Sequence, residues 1–346
     1  LLMFSFGAFA QENKDLTKEE KKAKKLKNIH FIDKNFMIRP AYSLQSNLLQ
    51  ITDLNGNGDQ LNYRPNVWGS AGGQVKLGGL VLTYMYRLPV SDKSVSNLGK
   101  TEYQNIGINI QTRYVGLKFD YIDYTGFYLA DSTDTPILPI TDGVRTQLPN
   151  LSYFSIGFKT TVAFNKKFSI NAGFAQTERM KTSAGSFMFS IGNRFTKISS
   201  DVAFLPGNNV VDFREMWYNT TYVAIGAGRS WVKGLFSFTP VMLVGTGIQI
   251  QRTYSTALLS RGIKLKSPLY FSFKNAVSYN HDNFFVRIIG SAEMDRTRIG
   301  NPVFSNTNVM LNMFYLNVEA SLGVRFGKVK TKAEKKAKKE ATIAQP

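Results

Sequence analysis

Two carboxylates set two residues apart, Glu293 and Asp295 in SAEMDR, are the candidates for acid–base chemistry in this 346-residue chain. On an extended strand, residues i and i+2 point to the same face. The pair would therefore share one side of a sheet, where it could hold a calcium ion, contact a sugar, or form ion pairs with Arg287, Arg296 and Arg325. Asp120 and Asp123 in KFDYIDY are three apart and fall on opposite faces, which implies a bulge or a loop rim. Histidine occurs only at His30, in a basic N-terminal segment, and at His281, in the tight turn YNHDN. Neither lies near a Ser and an acid that would complete a hydrolytic triad, and both read as exposed. The chain has no Cys, which removes thiolate chemistry, a disulfide scaffold and Cys-ligated metals. Two distant His make no transition-metal ligand set. The Gly-rich stretches GSAGG (Gly69 to Gly73) and GTG (Gly245 to Gly247) lack the strand-to-helix setting of a phosphate loop. The residues thus point to a protein that is not an enzyme and needs no cofactor. An enzyme acting on lipid or glycan through Glu293 and Asp295 is the alternative.

The elements that would carry these side chains are strands. Residues 154–174, FSIGFKTTVAFNKKFSINAGF, alternate bulky apolar with small polar residues on both sides of a basic Asn165-Lys166-Lys167 turn, which is the half-buried strand pattern. The pattern recurs at 36–53, 60–74, 78–88, 103–114, 116–130, 151–164, 168–179, 183–194, 198–205, 218–231, 235–252, 266–279, 283–297 and 309–326, giving about fourteen strands, with twelve the other even count allowed. The region 195–217 is the least patterned. Short links (VKLGG, YVG, FNKKF, RFTKI, WVKGL, YNHDN) alternate with long ones, such as SDKSVSNLGK and DSTDTPILPITDGVRTQLP. No stretch supplies 18 consecutive apolar residues for a spanning helix.

Strands of about 10 residues exceed the usual globular length of about 5–6 and suit a tilted bilayer crossing. The aromatics Tyr84, Tyr86, Tyr114, Tyr121, Phe164, Phe168, Trp231 and Phe326 fall toward strand ends, where interfacial girdles belong. The expected fold is all-β: a single antiparallel up-and-down transmembrane barrel over 36–326, with short periplasmic turns, longer extracellular loops and both termini periplasmic. A soluble secreted β-sandwich binding protein is the distant alternative. Pro40 and Pro240 sit inside two of these strands and imply bulges or strand ends.

Alternation places Arg113, Lys159, Arg194, Lys274, Arg287, Glu293, Glu319 and Arg325 on the polar, lumen face. If they line an open pore, it prefers anions; if they pair with one another, the lumen is plugged. Met85, Met188, Val241, Leu243, Met313 and Tyr315 also face inward, which favours a plugged or narrow lumen. The formal net charge is +19, with seven Lys against four acids in 11–30 and seven against two in 327–346. These Lys-rich ends read as solvated tails that could dock on envelope proteins or anionic headgroups. No basic patch interleaved with aromatics points to nucleic acid; outer-membrane lipid is the expected partner. Residues 1–10, ending Ala8-Phe9-Ala10, read as the remnant of a secretory signal cleaved before Gln11. A basic periplasmic segment follows over 11–35.

The YRPN element (Tyr63 to Asn66), the GGQVKLGGLVLTYMYRLP and FSIGFKTTVAFNKKFSINAGFA hairpins and the closing GVRF (Gly323 to Phe326) resemble an uncharacterised outer-membrane β-barrel family of Bacteroidota, a domain of unknown function. The resemblance implies an outer-membrane location and a barrel covering most of 36–326. It implies no catalytic residues.

Overall fold

The computed structural model describes residues 28–32, 34–52, 60–77, 79–112, 114–130, 145–202, 204, 213–255, 263–298 and 310–328. In chain order its strands begin with β1 (Ile29–Phe31), β2 (Lys34–Thr52), β3 (Gln60–Arg64), β4 (Gly69–Leu77) and β5 (Leu80–Arg87). A short helix, α1 (Asp92–Leu98), leads to β6 (Glu102–Gln111), β7 (Val115–Leu129) and β8 (Gln147–Ala163). One turn of π-helix (Asn171–Ala175) and β9 (Glu178–Met180) precede β10 (Ala184–Ser199), β11 (Phe213–Lys233) and β12 (Phe236–Ser255). The chain then runs through β13 (Ile263–Lys266), β14 (Leu269–Asn280), β15 (Phe284–Arg298) and β16 (Met310–Lys328).

Twelve of these strands form one antiparallel meander in the order β2-β4-β5-β6-β7-β8-β10-β11-β12-β14-β15-β16, and β16 pairs back onto β2 to close the barrel. Closure leaves the wall no free edge. The count is twelve and not about fourteen for two reasons. Residues 168–179 are not a wall strand: they fold into the lumen as the π-helical turn and β9. Residues 183–194 and 198–205 are not two strands: β10 runs unbroken through Arg194-Phe195-Thr196-Lys197, so RFTKI is wall and not turn. FNKKF is likewise the start of the inserted segment, and Phe168 is fully buried instead of lying in an outer girdle. Residues 60–74 split into β3 and β4.

Links at one rim are tight at 77–80, 112–115, 233–236 and 280–284, and those at the other are long. Both ends of the wall, Lys34 and Lys328, pair at the short-turn rim. The exception to the tight links is 164–183, between β8 and β10. Its π-turn is held by Ser169, whose Oγ accepts from the Ala172 N–H (3.1 Å), and by Gln176. Gln176 adopts a left-handed φ of 59°, uncommon for a side-chain-bearing residue, and its amide donates to Ala172 O, Gly173 O and Ser278 Oγ. β9 pairs with β1, so the N-terminal strand lies in the same end of the barrel. Phe168, Ile170, Ala172 and Met180 pack with Ile29 against Met188, Tyr222, Val241 and Leu243 of the wall.

The long-loop rim is filled differently. β3 leaves β2 and also pairs with β7 through Tyr63↔Leu129, so it bridges the mouth above the short strands β4, β5 and β6. Under it Leu49, Ile51, Leu61, Tyr63, Phe127, Leu151, Ile198 and Leu311 form a buried cluster. Asn66 of YRPN fixes this arrangement: its Nδ2 donates to Gly99 O (2.7 Å) and Ser94 O (3.2 Å), and its backbone N–H donates to Thr101 Oγ1 (2.7 Å). Tyr63 donates to Phe204 O at 2.5 Å. Burial pushes its phenol pKa up, so it remains the donor.

Outward-facing positions are apolar around the circumference, including Ile38, Leu44, Leu82, Ile106, Phe158, Ile191, Val223, Val244, Val277, Ile288, Val318 and Leu322, all exposed. Both wall prolines sit beside local gaps in one ladder. Pairing of β2 with β16 lapses between Ala41 and Ile38, and pairing of β11 with β12 lapses between Gly228 and Trp231. Each proline faces its gap on one side and stays paired on the other, Pro40 with Gly73 and Pro240 with Asn275. Two glycines make room for inward rings: a Cβ on Gly192 would lie 2.4 Å from the Tyr222 ring, and one on Gly323 would lie 2.1 Å from Phe285. Gly192→Ala is therefore expected to lower the stability of the detergent-folded barrel by about 1–3 kcal/mol. The urea-unfolding midpoint reads this out, and an unchanged midpoint would mean the Tyr222 ring can move aside.

Candidate functional site

Between the two fillings lies a cavity of about 330 Å³. Its upper boundary includes Tyr103, Tyr124 and Tyr315, and its lower boundary includes Ile170, Phe174 and Ala175 of the inserted segment. On the β5–β7 side the lining continues to Val81, Asn109 and Gly116, at the short-turn ends of their strands. The inserted segment packs on the opposite wall, so the cavity reaches the short-turn rim along β5, β6 and β7.

Alternation on five strands brings seven charged side chains together inside. Lys118 and Asp120 come from β7, Lys159 from β8, Arg194 from β10, Lys274 from β14, and Glu293 and Asp295 from β15. Arg194 is the hub, with its guanidinium 3.6 Å from Asp120, 3.7 Å from Glu293 and 3.5 Å from Asp295. Glu293 also meets Lys274 at 3.1 Å and Lys159 at 3.6 Å, and accepts from Ser272 Oγ at 3.3 Å. Lys118 lies 3.2 Å from Asp120. Lys159 donates to the Tyr270 hydroxyl at 2.6 Å, Tyr270 stacks on Tyr222, and Arg194 sits over the Tyr315 ring. Charges from strands on opposite sides of the lumen thus tie the barrel across its interior.

A second group lies nearer the short-turn rim. Arg287 bonds Glu319 and the Phe174 carbonyl. Arg325 bonds His281 O, Gln176 O and Asn280 Oδ1 (2.6 Å) and covers one Phe285 face at 4.5 Å. Arg39 approaches the same ring at 5.8 Å. At the rim itself His30 and Arg179 both meet Asp282 at 3.1 Å, so His30 has a defined partner and is only half exposed.

Seven of the eight charged positions expected on the lumen face line or border this interior, in two groups: Lys159, Arg194, Lys274 and Glu293 in the first, and Arg287, Glu319 and Arg325 in the second. Arg113 lies outside the described residues. The expected partnership of Glu293 and Asp295 with Arg287, Arg296 and Arg325 is not what forms. Their cation is Arg194, Arg287 belongs to Glu319, and Arg296 is exposed. Asp120 is not at a loop rim but buried in the first group, and the register shift on β7 falls later, between Thr125 and Phe127. Lys118, Asp120 and Tyr124 alternate with Phe119 and Tyr121, which was the available signal for that face; Asp123 distracted from it. Arg39, Ser43, Gln45 and Asn47 carry the same signal on β2. Among the described residues no group of three or more metal-ligating side chains occurs.

Residues 28–339 match the family described as a domain of unknown function, DUF4421, and the chain belongs to that family. No curated protein matches the sequence. In fold the chain is similar to the outer membrane protease OmpT from Escherichia coli, at 9% identity, 86% of this chain, 98% of that one and a TM-score of 0.36. It is similar to the P. putida toluene transporter TodX at 8% identity, with 85% and 91% covered and a TM-score of 0.31. Neisserial surface protein A matches at 10% identity, with 84% and 97% covered and a TM-score of 0.23. Superpositions this loose transfer neither proteolysis nor transport.

The hub position of Arg194 is testable. Arg194→Met strips one buried and two partly buried carboxylates of a shared cation and is expected to cost about 3 kcal/mol, the lower end of the range for breaking a buried pair. Arg229→Met, on the exposed outer face beside Trp231, is expected to stay within about 0.5 kcal/mol. Urea midpoints of the two variants compare them, and equal shifts would remove the hub role.

Proposed function

We propose that this chain is a non-enzymatic bacterial outer-membrane β-barrel protein with an occluded lumen, acting as an uptake component or as a subunit of an envelope complex and not as a standing pore. The observation that carries this reading is the double filling of the lumen, by 164–183 with β1 at one end and by β3 with its apolar cluster at the other. The apolar outer face supports lipid as its surroundings, since a predominantly apolar band of that kind is what a bilayer core requires. Short turns and both barrel ends at one rim support a periplasmic placement of that rim, and the Lys-rich sequences on either side of the barrel support envelope partners. The A-x-A ending of LLMFSFGAFA supports export. The Bacteroidota affiliation rests on the sequence resemblance of YRPN and GVRF.

A non-enzymatic role is supported by the state of the carboxylates. Glu293 and Asp295 are each bridged to Arg194, which holds both as counter-ions and leaves neither as a free base. A Glu293→Gln, Asp295→Asn double variant is expected to leave the lipid and lipopolysaccharide profiles of the cell unchanged. A changed profile would bring the enzyme reading forward.

Planar-bilayer conductance tests occlusion. The intact barrel is expected to be silent, and so is one in which 168–180 alone is replaced with an Asn-Gly turn, because β3 and its apolar cluster still close the other end. Steady conductance by the intact protein would overturn the reading. For orientation, an epitope inserted after Lys93 is expected to be reached on intact cells, and one after Gly234 only after permeabilisation; the reverse result would invert the barrel.

A further inference from the structure

Most buried charges in the lumen have a partner. Arg39 is the departure. It is 3% exposed, it lines the cavity, and its Nε and Nη1 have no hydrogen-bond partner among the described residues. The Phe285 ring at 5.8 Å offers a π-face but no acceptor. A desolvated guanidinium without an acceptor is costly, so such a group is ordinarily bonded or paired.

Its neighbours do not supply the missing charge. Around Phe285 the guanidiniums of Arg39, Arg287 and Arg325 face one carboxylate, Glu319, which Arg287 already bonds. Widening the circle adds Lys76 and Arg179 as cations and Glu178 and Asp282 as acids; Ser169 donates to Glu178 at 2.7 Å, and Arg179 meets Asp282. Among the described residues this leaves five cations against three acids. Gln74, the cross-strand partner of Arg39, also lines the cavity and is buried. Arg287, which lines it too, has an unpartnered Nε. Ser43, on the same face two pleat repeats along β2, is bonded to Asn317.

We propose that the cavity is a binding site for a small oxyanion, a carboxylate or phosphate group, seated on Arg39 with Gln74 beside it and reached from the short-turn rim. Guanidinium forks match both anions in geometry and charge. A volume of about 330 Å³ falls at the lower end of the range for small-molecule pockets, roughly 300–1,000 Å³. In the first charged group each of the four cations is in contact with a carboxylate of that group, which Arg39 is not. The proposal deepens the occluded-barrel reading and rests on it: a silent lumen with a one-sided cavity holds a ligand, whereas a conducting lumen passes it.

The test uses the full chain folded in detergent, in low-chloride buffer, with inorganic phosphate and acetate as separate probes. Calorimetry is expected to give saturable one-site binding of at least one of them. Arg39→Gln is expected to weaken it at least tenfold, and Lys166→Gln, in an exposed turn, to leave it unchanged. Preference between the two probes assigns the anion class. Absence of saturable binding by both, or equal affinity in Arg39→Gln, overturns the site. A second measurement needs no variant: phenylglyoxal modification of Arg39 in the wild-type barrel, read by peptide mass spectrometry, should be slowed by the bound probe. Modification at the same rate with saturating anion, or no modification at all, overturns the proposal. Conductance separates the two readings. A steady channel with Arg39 protected by anion defeats occlusion alone, and a silent barrel with Arg39 unprotected defeats the anion site alone.

Discussion

Pairing of the first wall strand with the last is the constraint on which the rest of the molecule depends. Once β2 and β16 are joined, every strand has two neighbours, and the backbone is satisfied within the wall as an apolar surrounding demands. The outer face can then be hydrocarbon almost throughout. The same closure creates an interior too wide to be filled by short wall side chains, and the chain answers in three ways: a folded segment, an apolar cluster, and a lattice of charges between them.

The charges follow from that geometry. A lysine or arginine on the inner face of a barrel is removed from bulk water and needs a counter-ion at close range. Because acids and bases sit on strands several places apart around the wall, each ion pair is also a strut across the lumen. Arg194, shared by Asp120, Glu293 and Asp295, is where these struts meet. Packing holds the same span elsewhere, with Tyr222 on Tyr270 and Phe285 near Arg39 and Arg325. The glycines opposite Tyr222 and Phe285 give those rings their space.

Much of the wall was legible in the sequence because one physical signal, a period of two, sets both faces of every strand. The inner positions of Lys159, Arg194, Lys274 and Glu319 follow from it directly. Residues 168–179 defeated the same signal. Phe168, Ile170 and Phe174 alternate as a strand would, and Phe168 and Ile170 are buried with Phe174 partly so, but against the inside of the wall and not against lipid. Periodicity reports which residues seek an apolar neighbour and is silent on which neighbour they find. RFTKI, read as a short link, is wall: it continues the alternation of β10, with Thr196 and Ile198 buried inside. Arg39 carried the right alternation but no nearby acid to draw attention to it.

The pairing of β1 with β9 has a consequence for assembly. β1 lies just upstream of the first wall strand, and β9 lies in the middle of the chain, tethered at both ends to neighbouring wall strands. Both join the wall at the short-turn rim, so each can fold back into the lumen from that rim without threading chain through the cylinder. Their pairing ties the start of the barrel chain to the middle of it. The stopper is thus made of two pieces, and it sets only when the centre of the chain has met its beginning.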